Sequence, residues 1–529
     1  MHILADLKMF GRFASGLRSF ICHTITLEDA MRMVRQLLSE RERNFLRLVE
    51  RGIFGYPQSP YLPLLKIAGC EFGDIRNMVG SRGLEQTLLA LRDAGVYVSF
   101  EEIKARQPIL RGGRVFKVSE RSFDNPFLRP HYFAETGGST GAGTRVSHEL
   151  DHLAVISAHE LITYSAHGVV DIPKVVWRGV LPDGSGINNI LRLSRWGRPP
   201  QKWFSPFNPY DVAPAVVKYR LATLFTIVLA RLAGARLPWP KLATVDQAGV
   251  VVDWVAQALR EKGACLVLAP ASRALRVSLA ARSAGIALTG ATFRIAGEPI
   301  TSAKIRGIER SGARVFTTYG FAELGRVGMG CSRRIDASEV HLCESMCAMI
   351  SYGRNVPSAR ITVPAFNFTS LLPTAPKILL NAESDDYGLV EQRSCGCPLD
   401  ELGLKRHLRE IRSFQKLTGE GVSLVASDMI HVLEEVLPSR FGGSPLDYQL
   451  MEEEDKDGLT RITLLIHPRL SIRDDKEIID VVMKALRKSS AMAAAAGSIW
   501  NQAGAIQVRR EKPIWTERGK LMSLYVNRH

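Results

Sequence analysis

Acidic side chains are in short supply. Against 69 Lys and Arg the chain carries 53 Asp and Glu, a formal net charge of +16 and a pI near 9.6. That deficit favours anionic partners such as nucleotides, phosphates, nucleic acid or a lipid surface, with a solvated basic face as the plain alternative. Cysteine is sparse as well: eight in 529 residues exclude a disulfide-framed scaffold. No apolar run is long enough to span a bilayer, since the longest, "LATLFTIVLA" at 221–230, is bounded by Arg220 and Arg231 and reads as a buried helix. Arginines interrupt the apolar residues of "FGRFASGLRSFICHTI" and no cleavage site follows, so a cytoplasmic setting is expected. Helix-turn-helix, RRM and finger spacings are missing, and the aromatics do not interleave with a Lys/Arg stripe. A basic nucleic-acid-binding protein is therefore the weaker alternative, and no nucleic-acid partner is expected.

What is present fits an enzyme of at least two domains, with 46% hydrophobic and 23% charged residues. "TLED" at 26–29 starts one helix or two through residue 52 in the manner of a capping box. "GLEQTLLALRDAG" predicts a helix stopped by Gly95 and followed by an extended piece. Between 170 and 320, short β-branched runs ("KVVW", "ACLVLAP", "ATFRIAG", "ARVFTTYG") alternate with Ala/Leu-rich helical ones, the pattern of a sheet covered by helices on both faces. The last stretch reads as helix, strand, helix, strand: "VLEEVLP", "LTRITLLIHPRL", "DDKEIIDVVMKALRKS", "AIQVRR". The expected class is α/β, a large helix-covered sheet domain over 1–408 with a helical N-terminal segment, then a small mobile α+β lid over 409–529 and a hinge in 409–415.

"TGGSTGAGT" presents many backbone N–H groups and small hydroxyls, suited to wrapping a phosphate. Gly138 and Gly143 have P-loop spacing, but Thr144 and Arg145 stand where that loop needs Lys-Ser/Thr, so the P-loop is set aside. "AGEPIT" and "TTYGFAELG" each follow a strand, which brings a tyrosine and the Glu323 carboxylate to strand ends, where open α/β sheets bind ligands. A ring there can stack on a purine, and a carboxylate near polyphosphate serves best by holding Mg2+.

In order along the chain, "TGGSTGAGTRV", "GEP", "YGFAELG", "DDYG" and "TERGK" resemble the adenylate-forming acyl-ligase superfamily. "RSCGCPLDELG" makes the phenylacetate–CoA ligase-like branch the nearest likeness. The resemblance implies ATP-dependent conversion of a carboxylic acid to an acyl-adenylate, with release of pyrophosphate, and transfer to the thiol of CoA or of carrier-protein pantetheine. It implies a phosphate loop of Thr136, Gly137, Gly138, Ser139, Thr140, Gly141, Gly143 and Thr144, with Gly297, Glu298 and Pro299 in the second motif. Tyr319 would be the adenine platform, followed by Gly320; Glu323 would hold Mg2+ and Asp386 the ribose hydroxyls. Thr136, Glu323 and Lys520 form the expected catalytic set, Lys520 moving onto the acyl and α-phosphate oxygens. Two departures stand out. Arg145 replaces the lysine-bearing turn of the phosphate loop, and the hinge, with Arg412 four residues before Lys416, lacks the family's aspartate pair.

Cys331, His341, Cys395 and Cys397 supply three thiolates and an imidazole, enough for a closed tetrahedral zinc site with a C-x-C clip; Cys343 or Cys347 are substitute ligands. Some members of the resembled branch carry a structural zinc here. Trp177, Trp196, Trp203, Phe204 and Phe207 are candidates for an aryl or apolar acid slot, with core packing as the alternative. An aryl or fatty acid is the preferred substrate, an acyl-protein synthetase acting on a partner or its own cysteine is an alternative activity, and a homodimer stays open.

Overall fold

The computed structural model describes residues 2–135, 145–214, 216–298, 300, 302–336, 338–356, 361–413, 416–419, 422–425, 432–443, 447–457, 459–472, 474–489, 500, 504–514 and 524–526. Its centre is a twelve-stranded sheet built from two halves that share one strand. In the parallel half, Pro240–Leu242, Lys202–Ser205, Lys174–Trp177, Cys265–Ala269, Ala291–Ile295 and Arg314–Phe321 lie in that spatial order. From Arg314–Phe321 onward the neighbours are antiparallel: Gly325–Gly330, Val340–Leu342, Arg406–Ser413, Ala382–Gln392, Ile361–Ser370 and Cys347–Val356.

The two-sided helical cover follows from alternation in the central strands. Leu266 and Leu268 pack with Ile156 and Leu161 of the helix Leu150–Ala166, whereas Cys265, Val267 and Ala269 pack with Val251 and Val255 of the helix Ala248–Lys262. A strand buried on both faces needs apolar residues at every position, and "CLVLA" has them. The antiparallel half packs instead against the helices Arg41–Val49, Phe72–Arg82 and Leu84–Asp93.

The N-terminal start signal works as the sequence predicts: Thr26 Oγ1 accepts from Asp29 N at 3.1 Å and Asp29 Oδ2 accepts from Thr26 N at 3.3 Å, opening the helix Leu27–Ser39. Gly95, at φ +83°, ends the helix Leu84–Asp93. One expectation is corrected. The helix Val217–Leu232 is no buried helix, because only Thr223, Thr226, Ile227 and Ala230 of its apolar run face inward, while Leu221, Phe225 and Val228 are exposed. No helix of the described residues is long and apolar enough to cross a membrane.

A separate four-stranded sheet closes the chain. Tyr448–Glu454 pairs antiparallel with Thr460–Ile466, Ile506–Arg509 and Leu524–Val526 add parallel at the two edges, and the helix Asp475–Ser489 packs beside them. The large sheet reaches Ser413, opposite Asp386.

Candidate active site

The site grows from two parallel neighbours. Ala291–Ile295 and Arg314–Phe321 run in register with Thr317 beside Ile295, so the segments that follow them emerge at one edge of the sheet. Gly297 takes φ +92°, and a Cβ there would stand 3.1 Å from Arg178 Nη1. Arg178, just after Lys174–Trp177, is buried; it donates from Nη2 to the Ala296 carbonyl at 2.9 Å, and its Nε finds no partner among the described residues. Burial, with Arg294 and Arg273 nearby, pulls its guanidinium down to about 9. Glu298 accepts from Ser272 N at 2.7 Å, from the Ser272 hydroxyl, and from Lys304 Nζ at 3.4 Å.

Tyr319 donates its hydroxyl to Asp386 Oδ2 at 2.7 Å, across 67 residues of sequence. Burial and the Asp386 charge together push the phenol well above its ordinary range, so it stays a donor. Gly320 sits at a register shift between Arg314–Phe321 and Gly325–Gly330, where a Cβ would fall 2.4 Å from the Gly325 carbonyl oxygen. Glu323 follows, buried. Its carboxylate accepts from Lys104 Nζ at 2.5 Å. Burial alone would raise this acid, but the Lys104 charge and hydrogen bond prevail and hold it at about 2.

Of the other predicted site residues, Thr136 to Thr144, Pro299 and Lys520 lie outside the described residues. The strands Tyr132–Glu135 and Arg145–His148 pair with Glu135 opposite Arg145, and the Arg145 guanidinium lies 3.4 Å from the centre of the Phe133 ring. Arg412 pairs through its backbone with Tyr387, and Lys416 belongs to a separate hairpin, Lys416–Gly419 with Val422–Val425. Sequence reasoning missed Lys104, Ser272, Lys304 and Arg178, which lie in ordinary helical or post-strand contexts with nothing local to single them out.

Of the two readings of the aromatics, the structure favours core packing. Trp177, Trp203 and Trp196 are buried with their indole N–H groups donating to the carbonyls of Ala243 (3.0 Å), Arg178 (2.9 Å) and Ser157 (3.0 Å). Each indole is committed to the core. Phe204 and Phe207 are buried beside them.

A second charge centre surrounds Glu160, whose side chain is completely buried. Glu160 takes Arg192 Nε at 2.9 Å and Arg326 Nη2 at 2.7 Å, with Arg294 Nη2 at 3.7 Å. Burial opposes ionisation of Glu160, but the charges of Arg192, Arg326 and Arg294 hold it at about 2.

The cysteines converge elsewhere. One ligand atom from each of Cys331, His341, Cys395 and Cys397 lies within 4.8 Å of the others. Cys331 and Cys395 Sγ are 3.7 Å apart, and His341 Nε2 is 3.6 Å from Cys395 Sγ and 3.2 Å from Cys397 Sγ. Ligands about 2.3 Å from a common centre at tetrahedral angles stand about 3.8 Å apart, so the donor set fits zinc. His341 Nδ1 donates to the Leu404 carbonyl at 2.6 Å, which leaves Nε2 as the ligating nitrogen. Gly396, at φ +68°, makes the turn between Cys395 and Cys397. Cys343 and Cys347, the substitute ligands, pack into hydrophobic cores instead.

The sequence matches no family profile and no curated protein. Among solved structures the chain is similar to 2-hydroxyisobutyryl-CoA ligase in complex with 2-HIB-AMP and CoA, at 14% identity and a TM-score of 0.53 over 95% of this chain and 91% of that one. It is also similar to the amide bond synthetase McbA from Marinactinospora thermotolerans, at 12% identity and a TM-score of 0.40 over 96% and 98%. The first likeness shows the fold: a large mixed sheet with helices on both faces and a separate C-terminal unit, the architecture of adenylate-forming ligases.

Proposed function

We propose that this protein activates a carboxylic acid with ATP, forming an acyl-adenylate and pyrophosphate, and passes the acyl group to the thiol of CoA or a carrier-protein pantetheine. Within that class we assign it to the phenylacetate–CoA ligase-like branch. The observation that carries the reading is the Tyr319–Asp386 hydrogen bond at the ligand-binding edge of a sheet with the adenylate-forming fold.

The chemistry joins two anions, the acid and the α-phosphate, so the site must meet developing negative charge with positive charge and N–H groups. Thr136 to Thr144 supply backbone N–H groups and hydroxyls to the phosphates in this reading. Tyr319 carries the adenine on its ring, and Asp386 holds the ribose hydroxyls while it orients the Tyr319 phenol. Lys520 brings an ammonium to the acyl and α-phosphate oxygens. Mg2+ neutralises phosphate charge when bound, and Glu323 is the carboxylate to hold it; Lys104 keeps that carboxylate ionised. Arg412 and Lys416 stand where the chain passes to the C-terminal unit, the proposed lid. The Cys331, His341, Cys395 and Cys397 set is proposed to hold a structural zinc, since four protein ligands leave no open position.

The test is acid-dependent exchange of labelled pyrophosphate into ATP, with Mg2+ and a panel of aryl, fatty and short acids. Exchange with at least one acid, abolished by Lys520→Ala, supports the reading. Its absence with every acid refutes it. A subsequent need for CoA, a carrier protein or neither identifies the acceptor and decides between thioester formation and acyl-protein synthesis.

A further inference from the structure

The helix Val217–Leu232 has two apolar sides. Thr223, Ile227 and Ala230 face the core, while Leu221, Phe225, Val228 and Leu232 stand in solvent with exposures of 60, 43, 42 and 80%. Their spacing of four, three and four residues aligns them along the outer surface. Further exposed apolar residues follow the helix in the sequence. Trp239, 43% exposed, lies beneath the Arg231 guanidinium at 5.4 Å, and Leu242, 42% exposed, sits on Pro240–Leu242, the strand at the border of the large sheet. Phe10 of the first helix meets Phe225 edge-on at 6.1 Å and flanks the row. An exposed apolar row of four residues on one helix, flanked by a further aromatic ring, marks a docking face.

Charge identifies the occupant. From Val212 to Val245 the sequence has no Asp or Glu, but it has Lys218, Arg220, Arg231, Arg236 and Lys241. All of these cations except Arg220 are exposed. A second copy seated by the same face about a two-fold axis would press these cations against their own duplicates. An anionic bilayer surface meets both halves of the pattern, with hydrocarbon for the leucine and phenylalanine row, phosphates for the flanking cations and the headgroup boundary for the indole.

We propose that this face docks the protein peripherally on membranes containing anionic phospholipid, lying in the interface without crossing it. The inference stands apart from the proposed acid activation.

The test is co-sedimentation of the full chain with vesicles of phosphatidylcholine alone or mixed with phosphatidylglycerol. Two surface variants accompany it, Leu221→Glu with Leu232→Glu and Lys218→Glu with Lys241→Glu, each checked by thermal melting. Binding to the phosphatidylglycerol vesicles that weakens with salt, and that falls by about tenfold or more in each folded variant, is the expected result. The proposal is overturned by absence of sedimentation with either vesicle, by equal binding to neutral vesicles that the variants leave unchanged, or by a discrete dimer in light scattering that Leu221→Glu with Leu232→Glu converts to monomer.

Discussion

Lys104 and Glu323 lie 219 residues apart in sequence and 2.5 Å apart in space, both largely shielded from water. A buried carboxylate with one tight cationic partner is costly to orphan. Lys104→Met should therefore destabilise the fold by about 3–5 kcal/mol in urea unfolding. Glu323→Gln combined with Lys104→Met should cost clearly less than the sum of the single changes. Because folding lowers the Glu323 carboxyl from its ordinary 4.5 to about 2, its contribution is full above pH 4.5 and is lost as pH falls through about 2. A wild-type acid-denaturation curve no steeper across that window than that of Glu323→Gln would contradict this.

Glu160 should be still less tolerant. Among the described residues it is the one carboxylate paired with Arg192, Arg294 and Arg326, so Glu160→Gln leaves three buried guanidinium groups without that counter-charge. A loss of about 3–5 kcal/mol, or failure to accumulate folded protein, is expected. Arg178→Met offers the contrast. Arg178 is buried with no carboxylate paired to it among the described residues, so removing its charge should change stability by no more than about 1 kcal/mol. A large loss there would show that its bond to the Ala296 carbonyl matters more than its burial cost.

Metal analysis by mass spectrometry of purified protein should find zinc in equimolar amount. His341→Asn or Cys397→Ser should remove it and lower the melting temperature. If the zinc is structural, adenylation by the surviving folded fraction should stay close to wild type per molecule. Full folded occupancy with a dead enzyme would argue for a catalytic metal instead.

Gly320→Ala tests the tight crossing in the tyrosine motif. The added methyl meets a backbone carbonyl at 2.4 Å, and backbone cannot rotate aside as a side chain does. A cost of about 1–3 kcal/mol is expected, together with a weakened apparent affinity for ATP, because Tyr319 is the preceding residue.

Local chemistry made much of the fold legible. The Thr26–Asp29 capping box and Gly95 work over three or four residues, so the sequence shows them directly. The alternation of "CLVLA" and "ATFRI" with helical segments likewise points to a strand-and-helix layer structure. The residue types of Cys331, His341 and the Cys395–Cys397 clip are enough to nominate the set, while its convergence depends on pairing between Val340–Leu342 and Arg406–Ser413, which no short window contains. Lys104 was invisible for the same reason, being an unremarked residue of "FEEIKAR" whose role comes entirely from a distant partner. The helix Val217–Leu232 differs from the expectation because a ten-residue run with eight apolar side chains and no charge looks identical whether one side of the helix or every side is covered.

The strand Arg406–Ser413 touches more of this molecule than its eight residues suggest. Near its start it follows the Leu404 carbonyl that receives His341, it pairs along its length with Ala382–Gln392 and at His407 and Leu408 with Val340–Leu342, and its last residue lies opposite Asp386. It is also the final strand of the large sheet before the chain departs for the C-terminal unit. A load applied from that unit therefore falls on a beam riveted along one edge and pinned at its base on the other, with the cysteine cluster as its footing and the Tyr319–Asp386 pair at its tip.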